Sequence, residues 1–165
     1  MTSVTLAAVE RADAANAGLC CRAMPFFKDA DDVYGTLGRF LREVAADPEL
    51  APALKRADTT FQLRLRQPDS IVTVGAPQED QPAQVDLGDT TLQPEVVLQM
   101  DADTAHRFWL GDVNVAVALA HGDIRARGPV AKILKIVPLV KPAFQRYRSQ
   151  LEADGRQDLL AAAPS

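Results

Sequence analysis

The side chains best suited to catalysis or metal binding are few in this chain, and their spacing matches no usual site. The two histidines are His106 and His121, and two imidazoles hold a metal only together with further ligands in a suitable order. We expect both to be surface residues of helices, so that replacing either with alanine leaves folding and binding intact. The four serines stand in no nucleophile motif, and no glycine loop of the phosphate-binding kind follows a strand.

The cysteines and the N-terminal sequence bear on the location of the protein. Cys20 and Cys21 are adjacent, and neighbouring cysteines can form a disulfide only through a strained ring. No zinc or redox spacing is present, so we expect two reduced thiols. The N-terminus has no basic region ahead of an apolar core, unlike a secretory signal. These features predict a cytoplasmic protein. Because no catalytic, nucleotide-binding or metal-binding motif is present, we also expect no catalytic residues, no cofactor and no metal.

Composition narrows the class of protein further. The 165 residues are enough for one domain with a real core. A hydrophobic content of 47% and a charged content of 24% are typical of a globular protein. The net charge of −4 argues against a nucleic-acid partner, which requires a basic surface. No apolar run approaches the ~20 residues that span a bilayer, so we expect no integral membrane segment.

The hydrophobic periodicity predicts helices, then a series of short strands, then two short helices, a last strand and a terminal helix. Alternation of apolar and polar residues predicts antiparallel strands near 60–66, 70–75, 84–88, 95–100 and 123–127. Successive short strands favour an α+β fold with helices on one face of the sheet. We divide the chain into residues 1–28, a tail or short docking helix in which Phe26 and Phe27 contact the domain; 29–155, the domain; and 156–165, a frayed end.

The terminal helical segment is unusually apolar. From Val130 to Tyr147, apolar residues at helical spacing cover roughly half to two-thirds of the circumference, whereas a helix packed on one side needs a stripe of about 100°. Pro138 and Pro142 remove amide donors within the run, so a break in the helix is expected. Two interpretations follow: the segment is core with two buried faces, or it lines a cavity for an apolar ligand.

The second half of the chain resembles the sterol carrier protein 2 family. The resemblance begins with an apolar strand at Val96–Met100 and an acidic helix cap at Asp101–Asp103. A short helix ending in Leu-Gly follows at Phe108–Gly111, and an alanine-rich helix at Asn114–Ala120. A strand bounded by glycines at Gly122–Gly128 then leads into a terminal apolar helix from Ile133 onward. The resemblance implies a five-stranded, mainly antiparallel sheet covered by helices that enclose an apolar tunnel. It also implies binding or transfer of a sterol, fatty acid or fatty acyl-CoA. The N-terminal tail and the proline-broken terminal helix depart from that pattern.

We therefore predict non-catalytic binding of a hydrophobic small molecule. The predicted cavity-wall residues are Phe108, Trp109, Leu110, Val117, Ile133, Ile136, Val137, Val140 and Phe144. Candidates for contacting a polar head group are Arg107, Arg125 and Lys141. One alternative is a protein-interaction or homodimerisation module that uses the apolar terminal helix. Another is a small enzyme or accessory subunit acting on lipidic or steroid substrates, with His106 or His121 at the base of its pocket.

Overall fold

The computed structural model describes residues 25–75 and 82–161. The predicted N-terminal tail up to residue 24, and the last four residues of the predicted frayed end, lie outside that part of the chain. Phe26 and Phe27, which were expected to contact the domain, lie within the described part. Phe27 is completely buried, and the backbone amide of Phe26 donates to Oδ1 of Asp103 at 3.0 Å. The residues that immediately precede the domain are therefore part of its packing.

Within the described residues, two helices precede the sheet. Helix α1 covers 30–46 and consists of an α-helical turn at Ala30–Val33, a π-helical segment at Tyr34–Gly38 and an α-helix at Arg39–Ala46. It begins where the Asp29 carboxylate accepts a hydrogen bond from the Asp32 amide at 2.9 Å. The residues of its buried side recur at helical spacing: Val33, Leu37, Phe40, Leu41 and Val44. Helix α2 follows at Ala51–Ala57.

Five strands form one sheet. They are β1 at Phe61–Arg66, β2 at Ser70–Val74, β3 at Val85–Leu87, β4 at Val96–Asp101 and β5 at Arg125–Arg127. These positions confirm the predicted strands to within two residues, and the α+β class is confirmed. The order across the sheet is β3-β2-β1-β4-β5. All neighbours are antiparallel except β1 and β4, which are parallel. The predicted five-stranded, mainly antiparallel sheet is therefore confirmed, with β1 and β4 as its parallel pair.

The parallel pair results from the connection between β3 and β4. Residues 88–95 carry the chain past β2 and β1, so that β4 begins beside the start of β1. The backbone amides of Glu95 and Val96 both donate to the carbonyl of Thr60, at 2.8 and 3.3 Å. These two bonds set the register in which Phe61 lies opposite Val96.

Helices follow β4 and cover one face of the sheet. They are α3 at Ala102–Leu110, α4 at Val115–His121, α5 at Val130–Ile136, α6 at Lys141–Ala153 and α7 at Gln157–Leu160, with a 3-10 turn at Val137–Val140 between α5 and α6. Gly111 and Gly122 end α3 and α4 with φ of +88° and +85°, as predicted. The expected break in the terminal helix is also present. Pro138 lies in the 3-10 turn, and Pro142 lies in the first turn of α6.

The expectation of a frayed end from residue 156 was wrong for residues 156–160. Leu159 of α7 is only 1% exposed, and Arg156 pairs with Asp32 of α1 at 2.6 Å. The run is polar except for its leucines, so its sequence resembles a tail. A buried leucine and a partly buried ion pair nevertheless attach it to the domain.

Candidate functional site

An apolar cavity lies between the covered face of the sheet and the helices. Alternation places the odd-numbered residues of β1 and the even-numbered residues of β2 and β4 on this face. The sheet side of the cavity comprises Phe61, Leu63, Val74, Leu98 and Met100, with Ile124 just before β5. The helical side comprises Leu41, Val44, Leu54, Ala105, Phe108, Trp109, Val115, Ile133, Ile136 and Val140. Every one of these side chains is apolar.

The cavity is small in this conformation, at about 80 Å³. An apolar protein cavity of roughly 150 Å³ accommodates benzene, so a long acyl chain does not fit without movement of the surrounding helices. Among residues 25–75 and 82–161, the cavity is thus much smaller than the open tunnel that the family resemblance implies. What the geometry provides is an apolar void bordered by several separate, short helices.

Five of the nine predicted wall residues border the cavity: Phe108, Trp109, Ile133, Ile136 and Val140. Two of the others, Leu110 and Phe144, pack near these residues without bordering the cavity. Leu110 is 2% exposed and belongs to the core, and Phe144 contacts Phe108 and Trp109 edge-on with ring centroids 5.4 and 6.0 Å apart.

Val117 and Val137 were also predicted to line the cavity, but neither borders it. Val117 is 48% exposed, because α4 turns Val115 and Ala118 toward the core instead. Val137 is partly buried and packs against the core cluster without bordering the cavity. An all-round apolar run indicates burial, but it does not indicate which members of the run face a void.

The residues of α1, α2 and the sheet that border the cavity were missed as site residues. Leu41, Val44 and Leu54 lie on apolar helix faces, and Leu63 lies in an alternating strand. Those patterns predicted that the four side chains are buried. No sequence signal distinguishes a buried residue beside a void from a buried residue in filled core, since both follow the same periodicity.

Trp109 is the aromatic centre of the helical side. Its ring meets Phe40 at 5.0 Å and Phe108 at 4.9 Å between centroids, both in edge-on geometry. It is 7% exposed, and it is the one tryptophan of the whole chain. Its fluorescence therefore reports on the cavity without contribution from any other tryptophan.

His106 is completely buried, so its expected placement on the surface was wrong. Its Nδ1 lies 2.8 Å from the Tyr147 hydroxyl, and its Nε2 lies 3.0 Å from the carbonyl oxygen of Leu159. A carbonyl oxygen only accepts, so Nε2 carries the proton and Nδ1 accepts from the tyrosine O–H. Satisfied hydrogen bonds on both ring nitrogens make this burial possible.

Burial keeps this pair neutral. It lowers the pKa of His106 and raises the pKa of Tyr147, since the charged form of each is desolvated. His106 lies outside the set of residues that border the cavity. Through its two hydrogen bonds it joins α3 to α6 and α7. His121 is exposed at the end of α4, as predicted.

The three candidate head-group residues do not converge. Arg125 lies on the outer face of the sheet, opposite the cavity, because its neighbour Ala126 pairs with Leu98 of the inner face. Lys141 is exposed at the start of α6. Arg107 is partly buried in α3, and its Nε is a buried nitrogen without a hydrogen-bond partner in the described ranges.

Over residues 25–75 and 82–161, no group of three or more His, Cys, Asp or Glu side chains is arranged to hold a metal ion. Within those same ranges, no helix combines the length and the apolarity needed to cross a membrane.

The sequence matches no protein-family model, and a search of curated proteins finds no match. Solved structures do match. The apo form of sterol carrier protein 2 from Yarrowia lipolytica superposes with a TM-score of 0.53 at 18% identity, covering 68% of this chain and 94% of that one. Sterol carrier protein domain 2 of Helicoverpa armigera superposes with a TM-score of 0.54 at 14% identity, covering 68% and 88%. This chain therefore has the fold of sterol carrier protein 2.

Proposed function

We propose that the domain predicted over 29–155, together with helix α7, reversibly binds a hydrophobic lipid-like molecule in the apolar cavity, without catalysis. One observation carries the proposal: the void between sheet and helices is bordered by apolar side chains alone. Such a void offers dispersion contacts and dehydration to an oily ligand but no group that could transform it. Sterols, fatty acids and fatty acyl-CoA are the ligand classes that the resemblance to the sterol carrier protein 2 family implies.

The energetics favour a long chain over a short one. Burial stabilises a ligand by about 0.8 kcal/mol per methylene. Ten methylenes would contribute about 8 kcal/mol before the cost of immobilising the ligand is subtracted. Because the cavity is about 80 Å³, the cost of opening it must also be subtracted. We expect micromolar binding for long chains and a steep decline as the chain shortens.

The movable part of the enclosure, in this proposal, is α5 with the 3-10 turn that follows it. Ile133 and Ile136 face the cavity, while Leu134 between them is 41% exposed. The helix is seven residues long, and Pro138 separates it from α6. A short helix bounded by a proline-containing turn can shift outward without unwinding its neighbours, which would enlarge the cavity toward α2.

The direct test uses the tryptophan in the cavity. Fatty acids brominated along the acyl chain quench tryptophan fluorescence on contact, so Trp109 should be quenched by a bound chain. We expect saturable quenching whose affinity rises with chain length from eight to eighteen carbons. Absence of quenching, or equal affinity along the series, would contradict the cavity assignment.

Matched variants of α5 sharpen this test. Ile136→Arg places a charge in the cavity and should abolish quenching, whereas Leu134→Arg on the exposed side should leave it within about threefold. Because Ile136→Arg can destabilise the fold, Ala105→Leu provides a second route. It adds three carbons to a side chain that borders the cavity, and it should weaken binding while circular dichroism shows native structure. Normal binding by a folded Ala105→Leu protein would refute the proposal.

The two alternative functions predict different results. An interaction or homodimerisation module predicts a concentration-dependent mass and no quenching. In the described part of the chain, the exposed large apolar side chains are Val117 and Leu134. An enzyme with a histidine at the base of its pocket predicts turnover of a lipidic substrate that is lost in His121→Ala. Light scattering and native mass spectrometry of the purified protein distinguish a dimer from a monomer with bound lipid.

A further inference from the structure

Three arginines lie together on the outer face of the sheet, on the side away from the cavity. They are Arg64 of β1 and Arg125 and Arg127 of β5. The strand register puts Gln99 of β4 opposite both Arg64 and Arg125, and it puts Val97 opposite Arg127. Since alternate residues of a strand share a face, all five side chains project from the same surface.

These side chains border a concave groove of about 280 Å³. We call it the arginine groove, and it is lined by Arg64, Val97, Gln99, Arg125, Ala126 and Arg127. No acidic residue belongs to this lining. The groove occupies the β4–β5 side of the outer face, whereas the β1–β2 side contains buried polar residues at Gln62 and Thr73, which hydrogen-bond to each other at 3.1 Å.

The positive charge of the groove is not neutralised by carboxylates of the described residues. Arg64 donates through Nε to the amide oxygen of Gln62 at 2.7 Å. Arg125 and Arg127 are exposed and form no ion pair within residues 25–75 and 82–161. The nearby carboxylate of Asp101 is paired with Arg66 at 2.9 Å. Three unneutralised guanidinium groups thus adjoin one another in a chain whose net charge is −4.

Arrangement and chemistry together define the ligand class. Neighbouring strands lie about 4.8 Å apart, so the backbones of Arg64 and Arg125 flank Gln99 at roughly 10 Å from each other. Long side chains over that span can converge on an anion above Gln99. Guanidinium groups form paired hydrogen bonds with the oxygens of a phosphate, in a planar geometry that ammonium groups cannot provide. The Gln99 amide adds a further donor.

We propose that the arginine groove binds a phosphate ester or diphosphate group. The same chemistry occurs in a free phosphorylated small molecule and in the head group of an anionic phospholipid. The groove lies on the opposite face of the sheet from the cavity, so occupation of one does not require occupation of the other. The proposal is therefore independent of lipid binding in the cavity.

The test measures binding of inorganic pyrophosphate by isothermal titration calorimetry to the full chain. In parallel, co-sedimentation measures binding to phosphatidylglycerol vesicles, with phosphatidylcholine vesicles as reference. The variant is Arg125→Gln/Arg127→Gln, and both positions are exposed. The control is Lys55→Gln/Arg56→Gln, which removes the same charge from exposed positions of α2. We expect at least tenfold weaker binding in the variant, binding within twofold of wild type in the control, and a decline with added salt.

Each outcome decides the proposal. Pyrophosphate binding that depends on the two arginines assigns the groove to free phosphate compounds. Arginine-dependent binding to phosphatidylglycerol vesicles alone assigns it to lipid head groups. Binding of neither probe, an equal loss in the control, or selective binding of an acidic peptide such as polyglutamate overturns the proposal. Quenching of Trp109 by brominated fatty acids should be unchanged in the variant, which separates this result from the test of the cavity.

Discussion

Removing the hydroxyl of Tyr147 should destabilise the protein through His106. Tyr147 is completely buried, and its O–H is the donor to Nδ1 of His106 at 2.8 Å. The other ring nitrogen is already committed to the carbonyl of Leu159. Tyr147→Phe therefore leaves a buried acceptor unsatisfied, which costs about 1–3 kcal/mol.

The expected shift is large enough to measure by urea denaturation followed by circular dichroism. A loss of about 2 kcal/mol, divided by a urea dependence of about 2 kcal/mol per molar, lowers the midpoint by roughly 1 M. The control is Tyr34→Phe, the same chemical change at a partly buried site. There the hydroxyl accepts a longer hydrogen bond, at 3.3 Å from the Ile71 amide, and water can replace it. We expect less than about 1 kcal/mol for that variant.

The reasoning can fail in two ways. Equal midpoint shifts in the two variants would show that the buried pair contributes no more than a partly solvated hydrogen bond. Nitrogen-15 chemical shifts of the His106 ring provide a second check, since the structure requires the proton on Nε2. A proton on Nδ1 in the wild-type protein would contradict the assigned donor and acceptor roles.

Three further predictions follow from the same packing. Burial lowers the pKa of His106, so the unfolded state binds a proton first as pH drops. The free energy of unfolding should therefore fall below about pH 6.5 until the native histidine titrates. Chemical denaturation from pH 8 to 5 measures this fall, and an unchanged dependence of the unfolding free energy on pH in His106→Gln would contradict it. Gly128→Ala places a Cβ 2.1 Å from the carbonyl oxygen of Glu95 at φ +99° and should lower the free energy of unfolding by more than about 1 kcal/mol. Gly155→Ala, with open space around it, should lower it by less, and thermal melting of the two variants measures the difference. Leu159→Ala should cost about 2–5 kcal/mol because its side chain is 1% exposed; a negligible change in melting temperature would indicate that α7 is detached in solution.

Local chemistry accounts for the features that were predicted from sequence. Alternation in Phe61–Arg66 identifies a strand with one buried face, whatever its partners are. Gly111 and Gly122 end helices because a positive φ favours a residue without a Cβ, and Pro138 interrupts a helix because it lacks an amide donor. The resemblance to sterol carrier protein 2 rests on the order of such elements, and it correctly identified the fold.

Contacts between distant parts of the chain decided the rest. His106 resembles a surface residue in its own helix, yet Tyr147 and the carbonyl of Leu159 supply the hydrogen bonds that allow its burial. Val117 belongs to an apolar run, yet the orientation of α4 exposes it. Similarly, the parallel pairing of β1 with β4 depends on where residues 88–95 lead the chain.

The amino-acid sequence by itself therefore determined the strands, the helices before α7, their order and the apolar character of the interior, because these depend on periodicity and on neighbours within a few residues. The tertiary structure decided which side chains border the cavity and which arginines meet across the outer face of the sheet. Both depend on strand register and helix orientation. Those are set by the simultaneous packing of residues far apart in the chain, and no local pattern encodes them.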